Sequence, residues 1–208
     1  MRPFDEKNAI AQIFSRGYGV MSGMMRGAVV ARTNKPLVGQ FGNVSWNARL
    51  DSALGVFHWE PEKNLAAPIM ANAESLAVMN AAFDLISLLL PERESYEKMY
   101  DDTLNMLNNL QTESPMNEYL KWETKLLREL GYALDLGHCS GCGCTTNLNY
   151  ISPKTGRAVC DDCAAPYISH IYKLPLNLNT TLKFLEKICV EMGVNIPYTR
   201  KMISAKFS

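Results

Sequence analysis

The sequence has no apolar run of membrane-spanning length. The longest candidate, Leu85 to Leu90, is interrupted by Ser87 and stopped by Pro91, well short of the roughly 20 residues that a spanning helix needs. The opening, MRPFDEKN, lacks the apolar core of a signal peptide. These absences predict a cytoplasmic protein, and in a reducing compartment closely spaced cysteines read as metal ligands and not as disulfides. Catalytic signatures are missing too: there is no Walker loop, no HExxH and no GxSxG. The three histidines, His58, His138 and His170, are scattered with no nucleophile motif beside them, so an enzyme is not expected. With 47% hydrophobic and 20% charged residues the chain is not a disordered one, and 208 residues can bury a core without a metal to make up for small size.

Six cysteines are present, and four of them form Cys139-x-x-Cys142 and Cys160-x-x-Cys163, seventeen residues apart. That gap suits two knuckles folding back on one ion. Four thiolates in a tetrahedron with no open position favour one structural zinc ion over a catalytic one. The alternative is a redox dithiol pair or leftover buried cysteines. Cys144 could replace Cys142, although the x-x spacing favours Cys142. Cys189 falls on an apolar helix face and is expected in the core. Asp161 and Asp162, between two ligands, read as solvated or ligand-supporting groups and not as an acid/base pair, and His138 could orient the neighbouring ligand.

Net charge is zero but unevenly placed. Residues 1–60 carry seven basic residues against four acids, and between Asn8 and Leu50 there are five basic residues and no acid. Those five, Arg16, Arg26, Arg32, Lys35 and Arg49, are interleaved with Phe14, Tyr18, Phe41 and Trp46. Phosphate contacts and base-stacking surfaces would thus lie together. Solubilising cations over an aromatic core would give the same spacing.

From Asn8 to about Phe57, short apolar segments separated by glycines predict a small antiparallel β-domain, with SRGYG as a hairpin. After Pro61 the glycines thin out and Ala, Leu, Met and Glu take over. The predicted organisation is a β-domain at 1–61 and a helical domain at 62–208 containing a zinc module at 139–163. Helices are predicted over 73–90 (Leu76, Met79, Phe83, Ile86, Leu90 inward), 95–110 (Tyr96, Tyr100, Leu104, Leu107, Leu110) and 116–130 (Met116, Tyr119, Leu120, Leu127, Leu130). A weak one follows over 165–172 and a strong one over 179–192. Residues 148–152 and 158–159 are expected to pair as a hairpin across Pro153 to Gly156. The tail IPYTRKMISAKFS reads as basic.

The segments FSRGYGVMSGMMRGA, GNVSWNARLDSALGVFHWEP, LLRELGYALDLGHCSGCG and LNYISPKTGRAVCDDCA together resemble the bacterial recombination mediator family RecO. The resemblance implies an α+β protein: an N-terminal small β-barrel of the OB-fold type, then an α-helical domain with an inserted zinc module of four cysteines. It implies binding of single- and double-stranded DNA, annealing of strands coated by single-strand-binding protein, and, with RecR, loading of RecA at gaps. No covalent chemistry is implied. Two departures stand out: the sequence begins at the RPF-like segment, so that either the barrel lacks the strand that usually precedes it or the recorded start is late, and the AVVARTNKP loop is poor in Arg and Lys. All four zinc ligands of the family pattern are kept. A second reading is a zinc-stapled interaction adaptor in the same repair complex, with weak or no DNA binding of its own.

Overall fold

The alternation of apolar and polar residues between glycine turns builds a sheet. The computed structural model describes residues 1–31, 36–50, 54–111 and 114–207. Strands β1 (Arg2–Pro3), β2 (Ala9–Ser15), β3 (Gly19–Met25), β4 (Gln40–Asn47) and β5 (Gly55–Asn64) lie in the order β1-β2-β3-β5-β4. All neighbours are antiparallel except β3 and β5, which pair in parallel with Gly23 opposite Gly55. A five-stranded sheet of this order is OB-type. β1 is short and lies in the RPF-like segment itself, with Arg2 opposite Ile10 and Pro3 opposite Ala9.

Ala11, Met21 and Phe57 form the inner face, flanked by Ile13, Met25, Val44 and Trp46. The hairpin between β2 and β3 closes with Ser15 opposite Gly19. Gly19 has φ of +60°, and a Cβ there would meet the Glu94 carbonyl oxygen at 1.8 Å, so no side chain is tolerated.

The chain divides into two compact units, Met1–Pro115 and Met116–Ser208. The change from strand to helix comes at Leu65, so the first unit holds the sheet together with α1 (Ala66–Ile69), α2 (Ala73–Leu89) and α3 (Glu97–Asn109). Asn72 caps α2, its side chain accepting from the Glu74 and Ser75 N–H groups at 2.9 and 3.0 Å. Leu90, preceding Pro91, ends it in extended conformation. Phe14 of β2 packs on Tyr100 of α3 with ring centroids 5.7 Å apart, and in the connection between α2 and α3 the Arg93 N–H donates to the Val20 carbonyl at 2.8 Å.

The buried stripe of α2 runs through Val78, Met79, Ala82, Leu85, Ile86 and Leu89, about one residue round from the predicted one, leaving Leu76 and Phe83 half-buried. On α3, Tyr100 and Leu104 are likewise half-buried, while Met99, Thr103 and Met106 are inside. The reason is local: Phe83, Tyr100 and Leu104 line a cavity of about 570 Å³ beside Phe14, Val44 and Trp59.

The second unit contains α4 (Pro115–Glu129), β6 (Tyr150–Ile151), β7 (Ala158–Val159), α5 (Asp161–Ala164), a 3-10 turn at Ala165–Tyr167, β8 (Tyr172–Lys173), α6 (Leu178–Glu191) and α7 (Tyr198–Phe207). The hairpin forms as predicted, Tyr150 opposite Val159 and Ile151 opposite Ala158, and β8 joins it on the other side of β6. The helix predicted at 165–172 is instead a turn and that third strand. The tail is a helix, and its Arg200 is fully buried, 0% exposed.

Arg200 is held by a closed polar network. Its Nε donates to Glu123 Oε1 and its Nη2 to Glu123 Oε2 at 2.8 Å. Nη2 also donates to the Leu178 carbonyl at 2.7 Å, and Nη1 to Ser204 Oγ at 2.8 Å. Tyr119 Oη donates to the same carboxylate at 2.7 Å, and its ring lies 5.6 Å from the guanidinium carbon. Burial disfavours the charge, but Glu123 outweighs burial and holds Arg200 above its ordinary pKa. The same burial pushes the Tyr119 phenol well up.

Candidate metal centre and nucleic-acid interface

The first knuckle turns because Gly143 adopts φ of +78°, which lets the Gly143 N–H reach the Cys139 carbonyl at 2.9 Å. Cys139 Sγ accepts from Gly141 N at 3.4 Å and from Cys160 N at 3.3 Å. One sulfur thus locks the first knuckle to the second. The β6–β7 hairpin sets the distance: Ser140 N donates to the Ala158 carbonyl at 2.8 Å, two residues before Cys160. Asn149 anchors the next turn through both oxygens of Asp161 at 3.0 Å, so Asp161 is a supporting group, as its position between ligands suggests.

The sulfurs of Cys139, Cys142, Cys144 and Cys160 all lie within 4.8 Å of one another. Cys163 packs against the same cluster, which includes Cys139 and Cys160. Cys139 and Cys160 are buried, Cys144 and Cys163 half-buried, and Cys142 exposed. Five thiols therefore lie together where spacing alone suggests four, with Cys144 beside Cys142. Among the described residues no histidine joins the group, and His138 is exposed.

The donor set fits a tetrahedral, sulfur-preferring cation. Zinc–sulfur bonds of about 2.3 Å imply sulfur–sulfur edges of about 3.8 Å, and Cys142 and Cys160 are 3.6 Å apart. Backbone N–H groups of Cys160 and then Cys142 bring the Cys139 thiol down to about 5. The Cys144 N–H lowers Cys142. Thiol contacts, chiefly with Cys142 for Cys144 and with Cys160 for Cys163, push those two up to about 12. Backbone N–H groups thus favour thiolate at Cys139 and Cys142, and a bound dication would supply the field that ionises the remaining ligands.

The predicted DNA-facing cations are in different states. Arg16 is engaged: its Nε and Nη2 donate to Asp101 at 3.1 Å each, and Glu97 lies 3.6 Å away. Arg26, just past β3, and Arg49, just past β4, are exposed. Arg32 and Lys35 lie outside the described residues. Of the aromatics, Tyr18 is exposed, while Phe14, Phe41 and Trp46 are half-buried. One cation that sequence reasoning missed is Arg93, whose guanidinium lies 5.0 Å from the centroid of the Trp46 ring. It falls in the helical half of the sequence, and nothing in its neighbours signals that the chain returns to the sheet there.

Residues 70–192 match the family model described as Recombination protein O C terminal. The chain is 37% identical to the DNA repair protein RecO of Rhodospirillum centenum over 178 residues, 84% of this chain and 71% of that one. It belongs to the RecO family. The RecO of Jannaschia sp. is 36% identical over 196 residues, 93% of this chain and 80% of that one, and that of Ruegeria sp. is 34% identical over 178 residues, 84% of this chain and 73% of that one. As a RecO protein it has a role in DNA repair and recombination, and the α+β architecture of OB-type sheet and helices is that of the expected fold. Among the described residues no helix is long and apolar enough to cross a membrane.

Proposed function

We propose that this RecO protein is a non-catalytic, cytoplasmic recombination mediator. It binds single- and double-stranded DNA through residues 1–61, promotes annealing and, with RecR, loads RecA at gaps coated by single-strand-binding protein. Residues 62–208 form the partner-organising part, stapled by one structural zinc ion at 139–163 through Cys139, Cys142, Cys160 and Cys163. The observation that carries the reading is the OB-type order β1-β2-β3-β5-β4 in a chain of this family. An OB sheet tracks a phosphate backbone while bases stack on aromatic side chains.

Arg26 and Arg49 stand exposed just past the ends of β3 and β4 in that sheet, and Arg32 and Lys35 belong to the same stretch of sequence. Four to five neutralised phosphates on a single strand give a slope of log affinity against log salt of about −3. Fluorescence anisotropy of a labelled oligonucleotide across a salt series measures it. A flat dependence, or an Arg26→Ala/Arg32→Ala variant with unchanged affinity, refutes this surface.

A further inference from the structure

We propose that Cys144 and Cys163 are alternative fourth ligands to one metal ion held in common by Cys139, Cys142 and Cys160. This rests on the zinc reading and extends it. Cys144 Sγ lies within 4.8 Å of the three common sulfurs, and Cys163, the partner of Cys160 in the second CxxC pair, packs against the cluster that holds Cys139 and Cys160. Each offers a fourth sulfur beside the same three. A closed zinc site takes four thiolates. Adding a fifth would leave a local charge of about −3 around the dication, so one of the two stays out at any moment.

The two contenders approach on separate supports. Cys144 belongs to the first knuckle, where its carbonyl accepts from the Cys139 N–H at 2.8 Å. Cys163 belongs to α5, one turn after Cys160. Either can therefore leave without dismantling the support of the other. Cys144 also has a resting position, its thiol donating to the Thr146 carbonyl at 3.5 Å. Both are half-buried, so the displaced thiol is reachable from solvent. Ligand exchange proceeds with a replacement sulfur already beside the ion, and the metal is never left three-coordinate. The module then tolerates loss of either sulfur, and one thiol beside the ion stays open to electrophiles.

The test uses the full zinc-loaded chain. Native labelling with iodoacetamide, in which a carbon–sulfur bond forms, iodide leaves and the thiol proton passes to solvent, is followed by peptide mass spectrometry. The expected result is partial label on both Cys144 and Cys163, with Cys139, Cys142, Cys160 and the buried Cys189 protected. Label confined to one of the two overturns the sharing. Zinc content and competition with a chromophoric chelator are then compared for Cys144→Ser, Cys163→Ser and the double variant. Each single variant should keep one zinc per chain, whereas the double variant should bind roughly a hundredfold or more weakly. Cys163→Ser alone failing as badly as the double overturns the sharing and leaves the zinc reading intact. A wild-type chain that binds no zinc overturns both.

Discussion

Replacing Arg200 with Met removes the cation from a pocket that water does not reach and leaves the Glu123 carboxylate there with Tyr119 as its remaining donor. Breaking a buried pair from one side costs about 3–5 kcal/mol. Most of that comes from Glu123, because the Leu178 carbonyl still accepts from the hydroxyls of Thr181 and Ser204, both at 3.3 Å. Against a typical stability of roughly 5–15 kcal/mol the loss is large. At a urea slope near 2 kcal/mol/M it moves the midpoint down by about 2 M. Trp122 lies on α4 one residue before Glu123 and is buried. In a Trp46→Phe/Trp59→Phe background it is the only tryptophan, so its fluorescence reports this unit. Pairing Arg200→Met with Glu123→Leu should recover most of the loss, since apolar replacement of a whole buried pair is often neutral. A midpoint shift under about 0.5 M, or a double variant no better than the single, refutes the reasoning.

Stripping the ion with excess chelator should open residues 139–173 to protease while residues 1–111 stay resistant, because structural zinc supplies folding energy locally; uniform resistance of the module argues against a structural ion. An Asp101→Asn/Glu97→Gln variant should release Arg16, raising affinity for single-stranded oligonucleotides and steepening the salt slope by about 0.7; anisotropy reads both, and no change means that Arg16 does not face the DNA path. The hydrogen bond from Arg16 holds the Asp101 carboxyl below its ordinary value. Because the folded pKa is the lower one, the pair's contribution is present above the ordinary pKa of 3.8 and is lost as pH falls through the folded value. NMR titration of Asp101 should show a depressed midpoint that returns to normal in Arg16→Ala.

The strands, the helices over 73–130 and the cysteine hairpin are legible because their signals are local: period-two burial, three-four spacing, and turn residues such as Gly156 and Pro153. The stripe of α2 is rotated from its expected place because spacing marks amphipathicity without saying which half-apolar flank a cavity will wet. Arg200 reads in sequence as one charge of a basic tail, since a buried cation is identified by a carboxylate 77 residues upstream and not by its neighbours. At the metal centre the paired CxxC spacing points to four thiols, but Cys144 carries no spacing signal. Only the knuckle turn at Gly143 brings it to the other sulfurs. Arg16 is legible as a cation, whereas its engagement by Asp101 is a tertiary fact.

The distance along the chain between Glu123 and Arg200 has a consequence in time. Translation at about 5–20 residues per second puts roughly 4–15 seconds between synthesis of the carboxylate and of its guanidinium partner. For that interval the Glu123 carboxylate exists without the guanidinium that neutralises it and keeps its water, because burying it alone is costly. Closure of this polar network is therefore a late event, tied to the synthesis of Arg200 and not to that of α4.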